Sequence, residues 1–125
     1  MPKVLVVDDE EQIIKMLKLR LEFFGHCVIA AGNGQECLQK ISEKPDIILL
    51  DAVMPGLSGF EVCKKIKEME AVKDIPVIIL TALTSEEDVD KSIECGASCF
   101  ISKPFNAEDV IVKINNALDA KYEKK

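Results

Sequence analysis

The feature that most constrains the fold is a regular alternation of short apolar runs, rich in Val and Ile, with longer stretches of helical periodicity. Two of these runs, residues 47–50 and 77–80, are apolar at every position. This pattern is typical of strands that are covered on both faces of a parallel sheet. Five consecutive strand–helix units predict an α/β fold with a doubly wound parallel sheet and right-handed crossovers. The predicted strands are residues 4–7, 27–31, 47–50, 77–80 and 99–101.

The predicted helices have recognisable start and stop signals. Gly25 is expected to end the first helix and Gly96 the fourth, while Asn106 starts the fifth. Capping boxes are predicted where Glu stands three positions after a capping residue, at Asn33, Ser58 and Thr84. The fourth helix has the thinnest apolar stripe, so we expect it to be the least firmly docked. The residues expected to face the core are Ile14, Leu17, Leu21 and Phe24 in the first helix, Val89 and Ile93 in the fourth, and Val110, Ile111, Ile114 and Leu118 in the fifth.

Composition excludes several classes of protein. No linker divides the 125 residues, so we expect one domain over residues 1–125, with a polar tail at 121–125 that frays or begins a linker. A net charge of −6 provides no basic surface for nucleic acid and disfavours anionic lipid. The apolar runs are too short to cross a bilayer, and the N-terminus runs into four acidic residues, unlike a secretory signal. We therefore expect a cytoplasmic protein without direct membrane or nucleic-acid binding.

The cysteines indicate a reducing compartment. They are five in number, scattered, and without a CxxC pair, which argues against a disulfide framework or a zinc site. We expect them to act as small apolar residues in the core. They are Cys27, Cys37, Cys63, Cys95 and Cys99.

Polar residues follow four of the five predicted strands. Asp8 and Asp9 follow the first, Asp51 the third, Thr81 the fourth and Lys103 the fifth. Singly, each has a plain structural interpretation as a helix cap, a turn residue or a solvated lysine. Together they should gather at one sheet edge, because ligands of such sheets bind at the carboxyl ends of the strands. Three adjacent carboxylates repel one another unless a cation joins them, and oxygen-only ligation suits Mg²⁺.

Four segments resemble the signature of bacterial response-regulator receiver domains. They are VVDDE at 6–10, DAVMPGLSG at 51–59, TA at 81–82 and SKPF at 102–105, and the likeness spans nearly the whole chain. The resemblance implies a flavodoxin-like, five-stranded sheet of order 2-1-3-4-5. It also implies a phosphorylatable receiver of two-component signalling, a switch rather than a turnover enzyme.

The resemblance implies a phosphoacceptor residue and a set of Mg²⁺ ligands. It implies that Asp51 is the phosphoacceptor and also contacts Mg²⁺. Asp9 would bind the metal directly and Asp8 largely through water, while the backbone carbonyl of Val53 would complete the protein ligands. Lys103 would pair with the phosphoryl group as a point charge.

The resemblance also carries a switch. Thr81 would hydrogen-bond a phosphoryl oxygen, and Phe100 occupies the position of the family's switch aromatic and would rotate inward. The surface around the fourth helix, fifth strand and fifth helix would then change its downstream partner. A cis bond is expected between Lys103 and Pro104. Val53 and Leu83 are apolar where the family often has polar side chains that orient hydrolytic water, so slow self-dephosphorylation is expected.

The implied phosphodonor is a phosphohistidine of a sensor kinase or phosphotransfer protein, or a small acyl phosphate. No GxxxxGK[ST] loop is present to bind ATP. Dimerisation on phosphorylation is common in the family, and the charge pattern does not decide it. The cognate kinase, the downstream target and the presence of an effector domain also stay open.

Other functions share parts of this pattern. A binding-only pseudo-receiver would keep the fold without being phosphorylated. A Mg²⁺-dependent aspartyl phosphatase would need DxDxT after the first strand, where this chain has DDEEQ. An FMN-binding flavodoxin would need an uncharged, hydroxyl-rich phosphate loop at the same position. A phosphohistidine carrier would need a reactive histidine, and His26, the single histidine, stands at a helix-to-strand turn where a structural role is expected.

Overall fold

Five parallel strands build one sheet in the order β2–β1–β3–β4–β5, which confirms the predicted fold class. The computed structural model describes residues 2–82, 90–91 and 93–123. The strands are β1 (Lys3–Val7), β2 (Cys27–Ala31), β3 (Ile47–Asp51), β4 (Val77–Thr81) and β5 (Cys99–Ser102). The described helices are α1 (Glu11–Phe23), α2 (Gly34–Lys40), α3 (Gly59–Lys67) and α4 (Ala107–Glu123), with a 3-10 turn at Ile41–Glu43.

Helices cover both faces of the sheet, as a doubly wound fold requires. One face packs against α2 and α3 through Cys37, Val62 and Ile66. The opposite face packs against α1 and α4, with Leu17 and Ile114 fully buried. Every residue of β3 and β4 is buried, so the uninterrupted apolar runs at 47–50 and 77–80 are explained by the two apolar layers.

Local signals determine most of the helix ends. Gly25 has a φ of +91°, a conformation that glycine adopts without a steric penalty, directly after α1. The predicted capping box at Ser58 is complete, because Ser58 Oγ accepts the Glu61 N–H and the Glu61 carboxylate accepts the Ser58 N–H. Only half of the box predicted at Asn33 forms. Asn33 accepts the Glu36 N–H at 2.8 Å, but the Glu36 carboxylate accepts the N–H of Gly32.

Two residues predicted to face the core are instead exposed. Phe24 lies just past the end of α1, where the chain leaves the helical path, and its side chain is 52% exposed. Ile93 is 68% exposed. The predicted cap at Thr84 and the predicted core residue Val89 lie outside the described residues. Helix α4 is the one predicted as the fifth helix. Its apolar stripe is confirmed, since Val110, Ile111, Ile114 and Leu118 are all buried.

The C-terminal tail, the cysteines and the length of the helices were also subjects of sequence predictions. Helix α4 is described through Glu123, and residues 124–125 lie outside the described part, so the tail at 121–125 stays a prediction. Three cysteines are buried as predicted, but Cys27 is exposed on the edge strand β2, so its predicted core role is wrong. His26 is buried beside that strand. Among the described helices, none combines the length and apolarity of a membrane span.

Candidate functional site

The register of the strands brings the predicted site residues to one edge of the sheet. Val7 pairs with Leu50, so Asp8 follows β1 at the level of Asp51. On the other side Asp51 pairs with Leu80. Thr81, the last residue of β4, pairs with Ser102, after which Lys103 leaves β5. Asp51, Thr81 and Ser102 each form the final residue of a strand, one residue further than the sequence analysis placed the strand ends.

Asp8, Asp9 and Asp51 form a carboxylate cluster. One oxygen from each residue lies within 4.8 Å of the others. Asp8 and Asp51 are buried, whereas Asp9 is exposed and closes the solvent side of the group. Such proximity raises the free energy of the fully ionised state, because like charges repel strongly where water is largely excluded.

One oxygen atom of this cluster is buried without a hydrogen-bond donor among the described residues. Asp8 Oδ1 accepts the N–H of Glu10 at 2.9 Å, but Asp8 Oδ2 is fully buried and accepts no hydrogen bond from the described residues. Its nearest cationic atom is Lys103 Nζ, at an ion-pair distance of 3.5 Å. A buried acceptor without a partner is costly, on the order of 1–3 kcal/mol. A bound cation would remove that cost, so the donor set fits a hard, oxygen-seeking metal ion.

Lys103 bridges the two buried carboxylates. Its Nζ donates a hydrogen bond to Asp51 Oδ1 at 3.2 Å and lies 3.5 Å from Asp8 Oδ2. Burial lowers the pKa of Lys103, but the charges of Asp51 and Asp8 outweigh this and raise it above its ordinary value. The ammonium is therefore charged throughout the physiological range. The Lys103–Pro104 bond is cis, as predicted.

The environment of Asp51 disfavours its charged form. Burial and the neighbouring Asp8 carboxylate raise the pKa of Asp51 to about 6, while Lys103 and the Val53 N–H partly oppose that shift. The Val53 N–H lies 3.4 Å from Asp51 Oδ1, at the long end of hydrogen bonding. A cation placed beside Asp51 would therefore stabilise the charged form of its carboxylate.

Thr81 and Phe100 lie on one face of the sheet. Phe100 pairs with Ile79, and Thr81 follows Ile79 by two residues, so strand alternation directs all three side chains to the same side. Thr81 is buried, whereas Phe100 is half-buried against the core on the α2 and α3 side. The backbone N–H of Lys103 donates to the Thr81 carbonyl at 2.8 Å, which joins the β4 and β5 ends.

Gly59 is a site residue that the sequence analysis did not identify. A Cβ built on Gly59 would lie 2.1 Å from the Asp51 carbonyl oxygen and 2.9 Å from Ala52 Cα. The Gly59 N–H donates to the Ala52 carbonyl at 2.9 Å. Glycine therefore allows the start of α3 to lie directly against the backbone that carries Asp51. The only sequence signal was the second glycine in DAVMPGLSG, and that signal does not reveal what the residue touches.

A cleft of about 410 Å³ lies beside Asp9 and was also not predicted. The loops that follow β2 and β3 form its walls, and its lining includes Asn33, Gln35, Pro55 and Leu57. Access to the carboxylate cluster from this side is therefore open. Val53, two residues after Asp51, is 77% exposed.

A strand order of β2–β1–β3–β4–β5 with three aspartates and a lysine at its carboxyl edge defines the receiver class of two-component signalling proteins. Residues 4–115 match the family described as the response regulator receiver domain, and the chain belongs to that family. It is thus the receiver domain of a response regulator.

Its relatives include transcriptional regulators that are longer than this chain. The chain is 41% identical over 117 residues to the alkaline phosphatase synthesis transcriptional regulatory protein PhoP of Bacillus subtilis, covering 93% of this chain and 48% of PhoP. It is 38% identical over 116 residues to the phosphate regulon transcriptional regulatory protein PhoB of Pseudomonas aeruginosa, covering 92% of this chain and 51% of PhoB. The chain thus spans about half the length of these relatives.

Solved structures give the same result. The chemotaxis protein CheY4 of Vibrio cholerae superposes with a TM-score of 0.89 at 34% identity, covering 94% of this chain and 98% of CheY4. A CheY-like receiver domain from Methanospirillum hungatei reaches a TM-score of 0.92 at 30% identity, covering 100% of this chain and 99% of its own.

Proposed function

We propose that this receiver domain is a phosphorylatable switch in which Asp51 accepts a phosphoryl group with the help of Mg²⁺. The observation that carries the proposal is the group formed by Asp51, Asp8, Asp9 and Lys103 at the carboxyl edge of the sheet. A buried acceptor carboxylate, two further carboxylates and one ammonium are the components that phosphoryl transfer to aspartate requires.

The three carboxylates and the backbone carbonyl of Val53 are the proposed protein ligands of Mg²⁺. The support is that one carboxylate oxygen from each of Asp8, Asp9 and Asp51 lies within 4.8 Å of the others, and that the buried Asp8 Oδ2 is unsatisfied. When bound, Mg²⁺ would neutralise charge on the carboxylates and on phosphoryl oxygens. Asp9 is the exposed member of the group and is proposed as a direct ligand, with Asp8 acting largely through water.

The proposed chemistry is a simple displacement. An oxygen of Asp51 forms a bond to phosphorus as the bond between phosphorus and the donor breaks, which gives an acyl phosphate on Asp51. Lys103 Nζ, at 3.2 Å from Asp51 Oδ1, is close enough to pair with charge that develops on the transferred group. The chain acts once for each phosphoryl group and is a switch rather than a turnover enzyme.

We propose slow loss of the phosphoryl group. Hydrolysis needs an oriented water, and the exposed Val53 side chain beside Asp51 offers no hydrogen bond to hold one. Leu83, the second apolar position on which this expectation depends, lies outside the described residues. We expect a phosphoryl lifetime of many minutes, and Val53→Asn is expected to shorten it in a phosphate-release assay. A lifetime of seconds in the unmodified chain would contradict the proposal.

The proposed donor is a phosphohistidine of a sensor kinase or phosphotransfer protein, with small acyl phosphates as a substitute. The cleft beside Asp9 leaves an approach to the acceptor. The proposed output is a changed binding surface for a downstream protein or effector domain. The names of PhoP and PhoB, both transcriptional regulators about twice as long, support an effector domain as that partner.

In the proposed switch, movement of Thr81 is coupled to rotation of Phe100. A phosphoryl oxygen on Asp51 would draw the Thr81 hydroxyl toward it, since β3 and β4 are adjacent at this point. Phe100 shares its sheet face with Thr81 and is half-buried, so space released near Thr81 can be filled by inward rotation of Phe100. Shifting such an equilibrium from 1:99 to 99:1 needs about 5.5 kcal/mol, a demand that several charge-assisted contacts can meet together.

The experiment that tests the proposal is the intact mass of the chain after incubation with a small acyl phosphate and Mg²⁺. We expect a gain of one phosphoryl group, which is lost in Asp51→Asn and lost when Mg²⁺ is chelated. Asp109→Asn, which alters an exposed carboxylate on α4, is the matched control and should retain the gain. No gain under any condition would favour the binding-only pseudo-receiver. Continuous release of phosphate without a stable adduct would favour the aspartyl phosphatase.

A further inference from the structure

Two buried cysteines lie close together at a distance from the phosphoacceptor. Cys63 lies on α3, and Cys95 lies four residues before β5. Cys63 Sγ donates to the Cys95 carbonyl at 3.2 Å, which places the Cys63 sulfur against the backbone of Cys95. The Ser98 N–H donates to the carbonyl of Val77, the first residue of β4, so this pair belongs to the amino end of the sheet. Asp51 lies at the opposite, carboxyl end.

A lysine lies beside the two thiols. The Lys67 ammonium donates to the carbonyls of Ile75 at 2.6 Å and Lys73 at 3.0 Å, which holds it near the start of β4. A Cβ on Gly96, the residue after Cys95, would lie 3.0 Å from Lys67 Cγ. The positive charge of Lys67 therefore acts on both sulfurs and favours a thiolate.

The two thiols differ in acidity, and the remaining buried cysteine differs from both. The hydrogen bond from Cys63 lowers the pKa of Cys95 to about 7 against the effect of burial. The same hydrogen bond, with burial, raises the pKa of Cys63. By contrast, burial alone raises the pKa of Cys37 to about 12, as expected of an inert core thiol. One sulfur is suited to attack an oxidant, and its neighbour is in place to resolve the product.

We propose that Cys63 and Cys95 form an oxidation site at which a peroxide produces an intramolecular disulfide. The Cys95 thiolate attacks one peroxide oxygen, the O–O bond breaks, and the departing hydroxide takes a proton and leaves as water. The sulfur of Cys63 then attacks the resulting sulfenic acid, the S–O bond breaks, and the proton of Cys63 leaves with the second water. Two thiols lose two electrons in all, and hydrogen peroxide is reduced to two molecules of water.

The bond would join α3 to the segment that leads into β5. Phe100 lies five residues after Cys95 and packs in the same apolar layer as both cysteines. A covalent tie at Cys95 restricts the end of β5 from which Phe100 extends. This inference does not depend on phosphorylation of Asp51, because the two sites lie at opposite ends of the sheet.

The test is non-reducing peptide mapping of the full chain after treatment with hydrogen peroxide, with remaining thiols blocked by alkylation in denaturant. We expect a peptide that links Cys63 to Cys95, with both of these thiols lost to alkylation. Cys63→Ala should abolish the linked peptide, whereas Cys37→Ala, a buried cysteine of the same core layer, should retain it.

Three outcomes would overturn the proposal. The first is a linked peptide that contains Cys27 or Cys99 in place of the proposed pair. The second is a disulfide-linked peptide that contains Cys95 and is as abundant in Cys63→Ala as in the wild type. The third is full alkylation of both Cys63 and Cys95 at peroxide doses that oxidise the exposed Cys27. The wild-type map alone decides the first and third outcomes, so the test does not depend on the folding of a variant.

Discussion

The chemistry of Asp51 depends on the residues around it. Asp8 and burial make its negative charge unfavourable, and Lys103 offsets only part of that effect. Gly59 determines where the acceptor backbone lies, because a side chain at this position would overlap the Asp51 carbonyl. The position of Asp51 at the end of a buried strand was predictable from sequence. The unsatisfied Asp8 Oδ2 and the contact of Gly59 were not, because both arise from segments that meet only in the folded chain.

The glycine contact predicts a large effect from a small substitution. Gly59→Ala should destabilise the fold by about 3 kcal/mol or more, because the clash is with backbone and no flexible side chain can yield. Gly32→Ala is the matched control, since a Cβ there meets nothing within 4 Å. Urea denaturation of the two variants measures the difference. Equal stability of Gly59→Ala and Gly32→Ala would show that the close approach at Asp51 is not maintained.

The elements follow their local sequence signals closely, with informative exceptions. The apolar runs at 47–50 and 77–80 correctly predicted strands buried on both faces. The complete capping box at Ser58 was also correct. Phe24 was predicted to face the core because it continues the apolar stripe of α1, but the helix ends at Phe23 and the stripe ends with it. Periodicity identifies a helix face, whereas the position of its last turn depends on the turn that follows.

The capping box at the start of α3 predicts that loss of the Ser58 hydroxyl lowers the stability of the fold. Ser58→Ala should cost about 1 kcal/mol, because the Glu61 N–H loses its acceptor at the start of a nine-residue helix. Ser42→Ala removes an exposed hydroxyl that donates to the Gln39 carbonyl and is not the N-cap of an α-helix, and it should change stability by less than about 0.5 kcal/mol. Thermal unfolding of both variants measures the difference. Equal losses would contradict the capping role of Ser58.

The two proposed sites of the molecule lie at opposite ends of one sheet. Its carboxyl edge gathers the aspartates and Lys103, and its amino edge holds the thiol pair of Cys63 and Cys95. The sequence predicted the carboxyl edge because the topology of a parallel sheet brings strand ends together whatever the details of packing. It did not predict the thiol pair, since no spacing rule relates cysteines on different elements.

Concentrated negative charge at one edge predicts that the stability of the fold depends on Mg²⁺. Without the metal, Asp51→Asn should be more stable than the wild type, because it removes one of two buried, repelling carboxylates. Mg²⁺ at 100 times its Kd should stabilise the wild type by about 2.7 kcal/mol and Asp51→Asn by less. Thermal unfolding with Mg²⁺ and with chelator measures both effects, and Asp109→Asn should behave as the wild type does. Equal stabilisation of wild type and Asp51→Asn would contradict a metal site at this edge.

In the proposed switch, Asp51 carries the phosphoryl group as an acyl phosphate. Borohydride reduces an aspartyl phosphate to homoserine, so treatment of the phosphorylated chain followed by peptide mass spectrometry identifies both the bond and the residue. We predict homoserine at position 51, formed only when acyl phosphate and Mg²⁺ are both present. Homoserine at position 8 or 9, or a phosphoryl group that survives borohydride on Thr81 or another hydroxyl, would contradict the assignment of Asp51 as acceptor.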